Sequence, residues 1–176
     1  MVMHMNMKII KTGELEENCY IITLDKTIII DPGSDADKII DVILKDNLNL
    51  DSILITHHHF DHIGALKDIL KYKNVKVYEY LDEGNYNISG FNIEVIKTDG
   101  HTSDSLTYYF KDYNMMFVGD FIFKGSVGRW DLDTGSYDAL MKSIDKIKTY
   151  DKNTIIYPGH GDATTLAEEI NSNMFF

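Results

Sequence analysis

The histidines of this 176-residue chain are concentrated at three places. Four of the seven lie in one hexapeptide, His57-His58-His59-Phe60-Asp61-His62, and single histidines stand in Gly100-His101-Thr102 and Gly159-His160-Gly161. Only His4 lies apart from these motifs. Imidazole and carboxylate groups are the donors that zinc, iron and manganese accept. The clustering therefore predicts a metal site, and a merely solvated histidine-rich loop is the weaker interpretation.

The spacing separates the donors into two groups. Residues two apart in an extended segment point the same way, so His57 and His59 can face one point while His58 faces elsewhere. Asp61 and His62 lie where the next helix begins and can turn to a second point. Two divalent ions in such sites lie about 3.5–4 Å apart, and a carboxylate can bridge them. We assign the ligands of the first ion as His57, His59 and His101, those of the second as Asp61, His62 and His160, and the bridge as Asp120.

The expected cofactor is a pair of divalent metal ions. Zinc is our assignment, with iron or manganese as alternatives, because all three accept this donor set. A non-catalytic metal-binding module is a further alternative. It is disfavoured because structural zinc sites are closed four-ligand cages, whereas this set leaves a position open. His4 and His58 do not fit the ligand spacing.

Composition limits the partners of the chain. Acidic residues outnumber basic ones 28 to 17, which gives a formal net charge of −11 and opposes nucleic-acid binding. No apolar run of about 18 residues and no signal-peptide pattern is visible, so we expect no membrane association and a cytoplasmic location. The expected partner is a small-molecule substrate. The single cysteine, Cys19, lies in an apolar run and is expected to be a buried structural thiol.

Apolar runs typical of strands alternate with amphipathic stretches typical of helices, which predicts one α/β domain over residues 8–176. The first seven residues carry four methionines and no periodicity, so we expect a disordered or ambiguous N-terminus over 1–7. Each ligand motif follows an apolar run, as expected for strand ends. The predicted strands are 8–11, 18–24, 27–30, 52–56, 75–78, 91–98, 105–110, 115–118 and 154–157, and the predicted helices include 34–45, 136–149 and 163–170.

Together the motifs resemble the metallo-β-lactamase superfamily and, within it, the short bacterial glyoxalase II-like (hydroxyacylglutathione hydrolase-like) enzymes. The resemblance implies an αββα four-layer sandwich with the metal site at one rim, and it implies the same seven ligands. The segments that carry it are Asn18-Cys19-Tyr20, Asp31-Pro32-Gly33, the T-H-x-H-x-D-H run that begins at Thr56, Gly100-His101-Thr102, Gly119-Asp120, the G-S-x-G-R-x-D-L loop over 125–132, and Pro158-Gly159-His160-Gly161.

The ligand set and the resemblance predict a hydrolase, acting on a glutathione-type thioester such as S-lactoylglutathione. A hydroxide that bridges the two ions would be the nucleophile, with Asp61 and Asp120 as the catalytic carboxylates. A thioester is favoured because a thiolate leaves without help from a positioned acid. The alternatives are a persulfide dioxygenase with one iron held by His57, His101 and Asp120, a lactonase, and, more distantly, a nuclease.

Further residues have predicted supporting roles. Asp31, Thr56 and Thr102 are expected to hydrogen-bond ligand histidines from behind, although Asp31 can also be a turn residue. Arg129 could bind a substrate carboxylate with its two-pronged guanidinium, or could pair with Asp131 or Asp133 instead.

The chain also departs from the family pattern. Asp104 stands where the family commonly has glycine, Asp99 where proline is common before Gly-His-Thr, and Phe121 where threonine is common after Gly-Asp. The C-terminal helical domain that supplies much of the glutathione site in longer family members is not expected here.

Overall fold

Two β-sheets face each other at the centre of the structure, a computed structural model that describes residues 4–176. The first sheet contains, in spatial order, β1 (Asn6–Thr12), β2 (Glu17–Thr23), β3 (Thr27–Ile30), β4 (Leu50–Leu54) and β5 (Lys76–Tyr78). The second contains, in spatial order, β13 (Thr164–Thr165), β12 (Ile155–Pro158), β9 (Met115–Gly119), β8 (Leu106–Phe110), β7 (Phe91–Lys97) and β6 (Gly84–Ile88). A separate small hairpin pairs β10 (Ile122–Phe123) with β11 (Ser126–Val127).

Helices cover the outer face of each sheet. Against the first sheet lie α1 (Ala36–Lys45), the single turn α2 (Phe60–Ile63) and α3 (Leu66–Tyr72); against the second lie α4 (Tyr137–Ile147) and α5 (Leu166–Ser172). None of the helices within residues 4–176 is long and apolar enough to cross a bilayer. The order helix, sheet, sheet, helix confirms the predicted αββα four-layer sandwich.

Alternation along the strands produces three apolar layers. Ile29 points to α1 and α3, whereas its neighbours Ile28 and Ile30 point into the space between the sheets. All four residues of β3 are buried for this reason. A strand covered on both faces is apolar throughout rather than alternating, which explains the unbroken run of isoleucines.

Strand direction brings the ligand motifs to one edge. β3, β4 and β5 are mutually parallel in the first sheet, as are β9 and β12 in the second. β7 runs the same way as β9, because each pairs antiparallel with β8. The segments that follow β4, β7, β9 and β12 carry the predicted ligands, so the parallel arrangement gathers them at the carboxyl ends of the strands.

The structure differs from the predicted elements in several places. β1 begins at Asn6, so residues 6 and 7 belong to a strand and not to an irregular end; Met7 packs against the central core, which explains the extension. Residues 1–3 lie outside the described part of the chain. The final helix begins at Leu166 rather than at residue 163, because Thr164–Thr165 first pair with β12.

Phe117 offers a test of the central layer. Its buried ring stacks on Tyr157 and meets the edges of Tyr20 and Phe110 at centroid distances of 4.9 and 5.1 Å. Phe117→Ala should lower the free energy of unfolding by about 3–5 kcal/mol, because it leaves a cavity in a close-packed layer. Denaturant unfolding in chelator-containing buffer measures this. The control is Phe60→Ala: that ring is 74% exposed, and its loss should change the stability by only about 0.5 kcal/mol.

Candidate metal centre

Three imidazoles from two parts of the chain converge in the first donor group. His59 Nδ1 lies 3.2 Å from His57 Nε2 and 2.9 Å from His101 Nε2. His57 and His101 are buried and His59 is half-buried. His57 and His59 follow β4 of the first sheet, whereas His101 follows β7 of the second. The structure thus brings the predicted ligands of the first ion together.

The second donor group forms beside the first. Asp61 Oδ2 lies 3.1 Å from His160 Nε2 and 3.9 Å from His62 Nε2. Asp61 and His62 lie on the single turn α2, and His160 follows β12. The structure thus also brings the predicted ligands of the second ion together.

Asp120 stands between the two groups. Its Oδ1 is 3.2 Å from His62 Nε2, and its Oδ2 is 3.7 Å from His101 Nε2 and 3.6 Å from His160 Nε2. One carboxylate therefore faces donors of both groups. This is the position that a bridging ligand needs.

The donor set fits a pair of divalent cations. Two of its atoms, His62 Nε2 and Asp120 Oδ1, are buried and make no hydrogen bond. They lie 3.2 Å apart, as an ion pair when His62 is protonated and as two unpaired acceptors when its ring is neutral. A buried polar atom without a partner costs about 1–3 kcal/mol, and a cation at this point would satisfy both atoms. Five imidazoles and two carboxylates are also ligands that zinc, iron or manganese prefer.

Asp31 supports the ligands from behind. Its Oδ1 accepts a hydrogen bond from the Thr56 backbone N–H at 2.7 Å, and its Oδ2 accepts one from the Thr56 hydroxyl at 2.6 Å. The same Oδ2 lies 3.0 Å from His62 Nδ1. Since the Thr56 hydroxyl donates its proton to Asp31, it accepts from His57 Nδ1 at 3.1 Å. Asp31 and Thr56 thus occupy the positions expected of supporting residues.

Backbone carbonyls orient two further imidazoles. His101 Nδ1 lies 2.7 Å from the Arg129 carbonyl, and His160 Nδ1 lies 3.0 Å from the Leu15 carbonyl. A carbonyl can only accept, so each Nδ1 carries a proton and Nε2 is the ring atom directed at the site. Neither carbonyl was predicted. Backbone acceptors leave no mark on residue type, and so no sequence signal points to them.

Thr102 and Arg129 differ from the other predicted residues. The prediction that Thr102 supports a histidine is wrong: its hydroxyl pairs with Ser105 Oγ at 2.7 Å, because the His101 Nδ1 is already taken by a carbonyl. The Arg129 guanidinium is exposed and makes two hydrogen bonds to Asp131, at 2.8 and 2.9 Å. Its side chain therefore lies on the surface, in the pairing that the sequence left as the alternative.

Burial and neighbouring charges set the protonation of the donors. Burial and the nearby imidazoles lower the pKa of His57 well below its ordinary value, so this ring is neutral and able to bind a cation. For His62, burial is outweighed by the carboxylates of Asp120 and Asp31, which raise its pKa. A proton and a cation therefore compete for this ring, and metal binding should release the proton.

Glu17 is a buried acid that sequence reasoning missed. Its side chain is within 4.8 Å of donor atoms of Asp31 and His62 and accepts a hydrogen bond from Thr12 Oγ1 at 2.7 Å. Burial raises the pKa of Glu17 to about 9. The group is therefore a neutral carboxylic acid at neutral pH and adds no charge behind the centre. An acidic residue at the start of an apolar strand was its only sequence signal.

Two glycines let the backbone approach the donors. A side chain at Gly159 would place its Cβ 2.3 Å from Asp120 Oδ1 and 2.5 Å from the His62 ring. Gly119 has a φ of 54°, and a Cβ there would lie 2.3 Å from the Thr56 hydroxyl. Both positions require glycine, which accounts for the Gly-Asp and Gly-His-Gly motifs.

The donor geometry predicts cooperative loss of metal when the bridge is removed. The purified chain should bind two equivalents of Zn²⁺. Asp120→Asn should weaken the binding of each ion by about 10-fold or more, because the carboxylate oxygens of Asp120 face the donors of both ions. Competition against a chromophoric chelator measures the two affinities. The control is Asp112→Asn: this carboxylate is exposed, and its loss should leave both zinc affinities unchanged. Loss of only one equivalent with the other unaltered would contradict the bridging position.

Asp31 should affect metal binding without touching the metal. Asp31→Asn removes the charge that holds His62 Nδ1, and we expect metal affinity to fall by about 10–100-fold. Asp35→Asn is the matched control: Asp35 also has a left-handed backbone, with a φ of 54°, but it is exposed, and its carboxylate accepts hydrogen bonds from Gly13 and Lys38 and from no other residue within 4–176. Equal affinities of the two variants would refute the supporting role of Asp31.

Known proteins share this architecture. A hydroxyacylglutathione hydrolase, GloC of Haemophilus influenzae, is 30% identical over 97% of this chain and 98% of its own length. The crystal structure of the B3 metallo-beta-lactamase BLEG-1 is 30% identical, covers 97% of this chain and 99% of its own, and superimposes with a TM-score of 0.93. The structure of TTHA1623 in a di-iron-bound form is 28% identical, with a TM-score of 0.89 over 96% of this chain and 100% of its own. The family model of the metallo-beta-lactamase superfamily matches residues 12–88 and 87–160, and the chain belongs to this superfamily.

Proposed function

We propose that this metallo-hydrolase cleaves thioesters, with a glutathione-type thioester as its substrate and two zinc ions as its cofactor. The observation that carries the proposal is the position of Asp120 between two complete donor groups. GloC supports the substrate class, and the di-iron form of TTHA1623 supports a two-metal centre with iron as the alternative metal. With a net charge of −11, a small molecule is a more suitable partner than nucleic acid. We propose a cytoplasmic location.

The chemistry requires a reactive water and a stabilised oxyanion. Two divalent cations in this donor set would lower the pKa of a water molecule and polarise the substrate carbonyl. The chain supplies the framework: Asp61 and Asp120 would compensate part of the cationic charge, and the imidazoles would bind as neutral donors once His62 has released its proton. Because Asp31, Thr56 and the Arg129 carbonyl hold the rings from behind, little reorganisation is needed during the reaction.

The leaving group fits the residues available. A thiol with a pKa of about 8.5 departs as a thiolate without protonation, whereas an alkoxide or an amine needs a positioned acid. The only thiol of the chain is not a competing nucleophile, because Cys19 is buried between the first sheet and its helices. A thioester is therefore the acyl compound that this site is best equipped to cleave.

Arg129 is our proposed contact for a substrate carboxylate. Its guanidinium and the Asp131 carboxylate are both more than 60% exposed, so their pairing is weakened by solvent. A substrate carboxylate could exchange with Asp131 at little cost. The backbone carbonyl of Arg129 itself orients the His101 ring, so Arg129 lies close to the metal donors.

A persulfide dioxygenase is the second candidate. Such an enzyme would use one iron held by His57, His101 and Asp120. The second group of this chain is also complete, since Asp61, His62 and His160 converge beside Asp120. A full second site favours the hydrolase. A lactonase would use the same donors and differs only in the substrate.

The proposal predicts metal-dependent thioesterase activity. Zinc-loaded protein should hydrolyse S-lactoylglutathione, chelation should abolish the activity and added Zn²⁺ should restore it. Asp120→Asn should lower kcat/KM by about 100-fold or more, because it removes a donor from both groups. Absorbance of the thioester bond and thiol detection measure the rate.

Parallel assays separate the alternatives. The same preparation is tested with a lactone panel and, after iron loading, for oxygen uptake on glutathione persulfide. Oxygen uptake with one bound iron and no thioester cleavage would overturn the proposed function in favour of the dioxygenase. Asp112→Asn, on the surface of the second sheet, serves as the control that should retain thioesterase activity.

A further inference from the structure

A groove of about 610 Å³ adjoins the metal centre. His59, a predicted ligand of the first ion, lines one part of it, and Tyr80, Leu132 and two carboxylate residues, Asp104 and Asp133, line other parts. A substrate whose carbonyl reaches the metal donors would extend its remaining half along this groove. The residues that line the groove would contact that half of the substrate.

The charge of the groove is negative. Asp104 is 23% exposed and bonds to His58 Nδ1, while Glu79 bonds to His58 Nε2. Asp133 is exposed and forms no salt bridge within residues 4–176. Two of these carboxylates, Asp104 and Asp133, line the groove, and Glu79 lies behind His58; a protonated His58 would offset at most one of the three charges. Neither lysine nor arginine is among the described residues that line the groove.

The lysine and arginine side chains nearby do not change this balance, because each is paired with another carboxylate. Lys97 borders a smaller adjoining cavity of about 200 Å³, which Asp104 also lines. The Lys97 ammonium group lies 3.2 Å from Asp82 and is thus paired with a different carboxylate. Arg129 is paired with Asp131.

An exposed aromatic ring completes the groove. Tyr80 is 67% exposed, and one face of its ring stacks on His58 at a centroid distance of 4.1 Å and an interplanar angle of 3°. The stacking holds the ring in place at the wall. An aromatic ring beside carboxylates is the composition that recognises ammonium groups, through cation–π and ionic attraction.

We propose that this groove binds an ammonium group on the thiol half of the substrate, and that Asp104 determines this specificity. The inference rests on the proposed function and narrows it to thioesters of cationic or zwitterionic thiols, among which a glutathione thioester with its free amino group qualifies. Asp104 is also the position at which this chain has an acid in place of the common glycine. This difference from the family pattern lies in the groove, and none of the seven metal donors is changed.

The test uses two thioesters that differ only in charge. S-acetylthiocholine carries a quaternary ammonium group, and 3,3-dimethylbutyl thioacetate is its uncharged carbon analogue. The zinc-loaded wild type should show a kcat/KM for the cationic ester that is about five- to tenfold higher than for the neutral one, as expected for an ion pair at a partly exposed site. Asp104→Asn should bring this ratio close to one, as should Tyr80→Leu in part.

Matched variants identify the cause. Asp145→Asn removes an exposed carboxylate on α4, outside the groove, and should leave the ratio and both rates at the wild-type values. Metal content is measured for each variant, because Asp104 contacts His58 and lies near the ligand segment. Asp133→Asn should also lower the ratio; within residues 4–176 the Asp133 side chain forms no hydrogen bond or ion pair with that segment. An unchanged ratio in both Asp104→Asn and Asp133→Asn would overturn the proposal.

Binding without turnover distinguishes this inference from the proposed function. Choline should give saturation-transfer NMR signals with the wild-type protein that are weakened in Asp104→Asn, whereas 3,3-dimethylbutanol should give equal signals with both. If no thioester is cleaved but choline binds in this way, the proposed function fails and the ammonium site stands. If thioesters are cleaved but choline binding does not depend on Asp104, the ammonium site fails and the thioesterase stands.

Discussion

The structure depends on gathering seven polar donors at one largely buried edge, where their mutual contacts leave two atoms without a hydrogen bond. His62 Nε2 and Asp120 Oδ1 are without hydrogen bonds although they are buried, which is costly in a metal-free chain. The surrounding residues do not relieve this cost. Asp31 and the backbone carbonyls bond only the outer nitrogens and leave the inner ones directed at the site. The fold thus preserves a place for cations instead of collapsing it.

The two sheets must be held in register, because each donates part of the site. The first sheet supplies the donors after β4, and the second supplies His101, Asp120 and His160. Tyr20 in β2 donates a hydrogen bond across to the Pro158 carbonyl at 2.5 Å, and the Asn18 amide donates to the same carbonyl at 2.9 Å. The backbone N–H of Asn18 also bonds the Gly159 carbonyl at 2.7 Å. The Asn-Cys-Tyr motif therefore fixes the distance between the sheets beside the metal donors, which its sequence alone did not explain.

Side chains that act by type and spacing could be predicted from the sequence, and contacts through the backbone could not. The alternation of His57 and His59 follows from extended geometry, and the apolar runs revealed the buried strands. β6 was missed because it is an edge strand in which exposed Asn85 and Asn87 interrupt the apolar pattern. The hydroxyl of Thr102 was predicted from proximity in sequence, yet ring orientation at His101 depends on a carbonyl 28 residues away. Every residue type has a backbone carbonyl, so the amino-acid sequence does not indicate which carbonyl will be the acceptor.

The metal donors and the residues that line the groove lie on different parts of the fold. Substrate preference can therefore change without a change in the metal centre. The donors sit at strand ends, where any substitution alters distances across both sheets. Asp104 and Tyr80 lie in loops, and Asp133 follows the glycine-rich segment, so their side chains can change without moving a strand. In the function we propose, bound cations would activate water whatever the thiol half is, so selection among substrates would fall to the groove. Its carboxylates would then repel a purely anionic thiol half and attract one that carries an ammonium group.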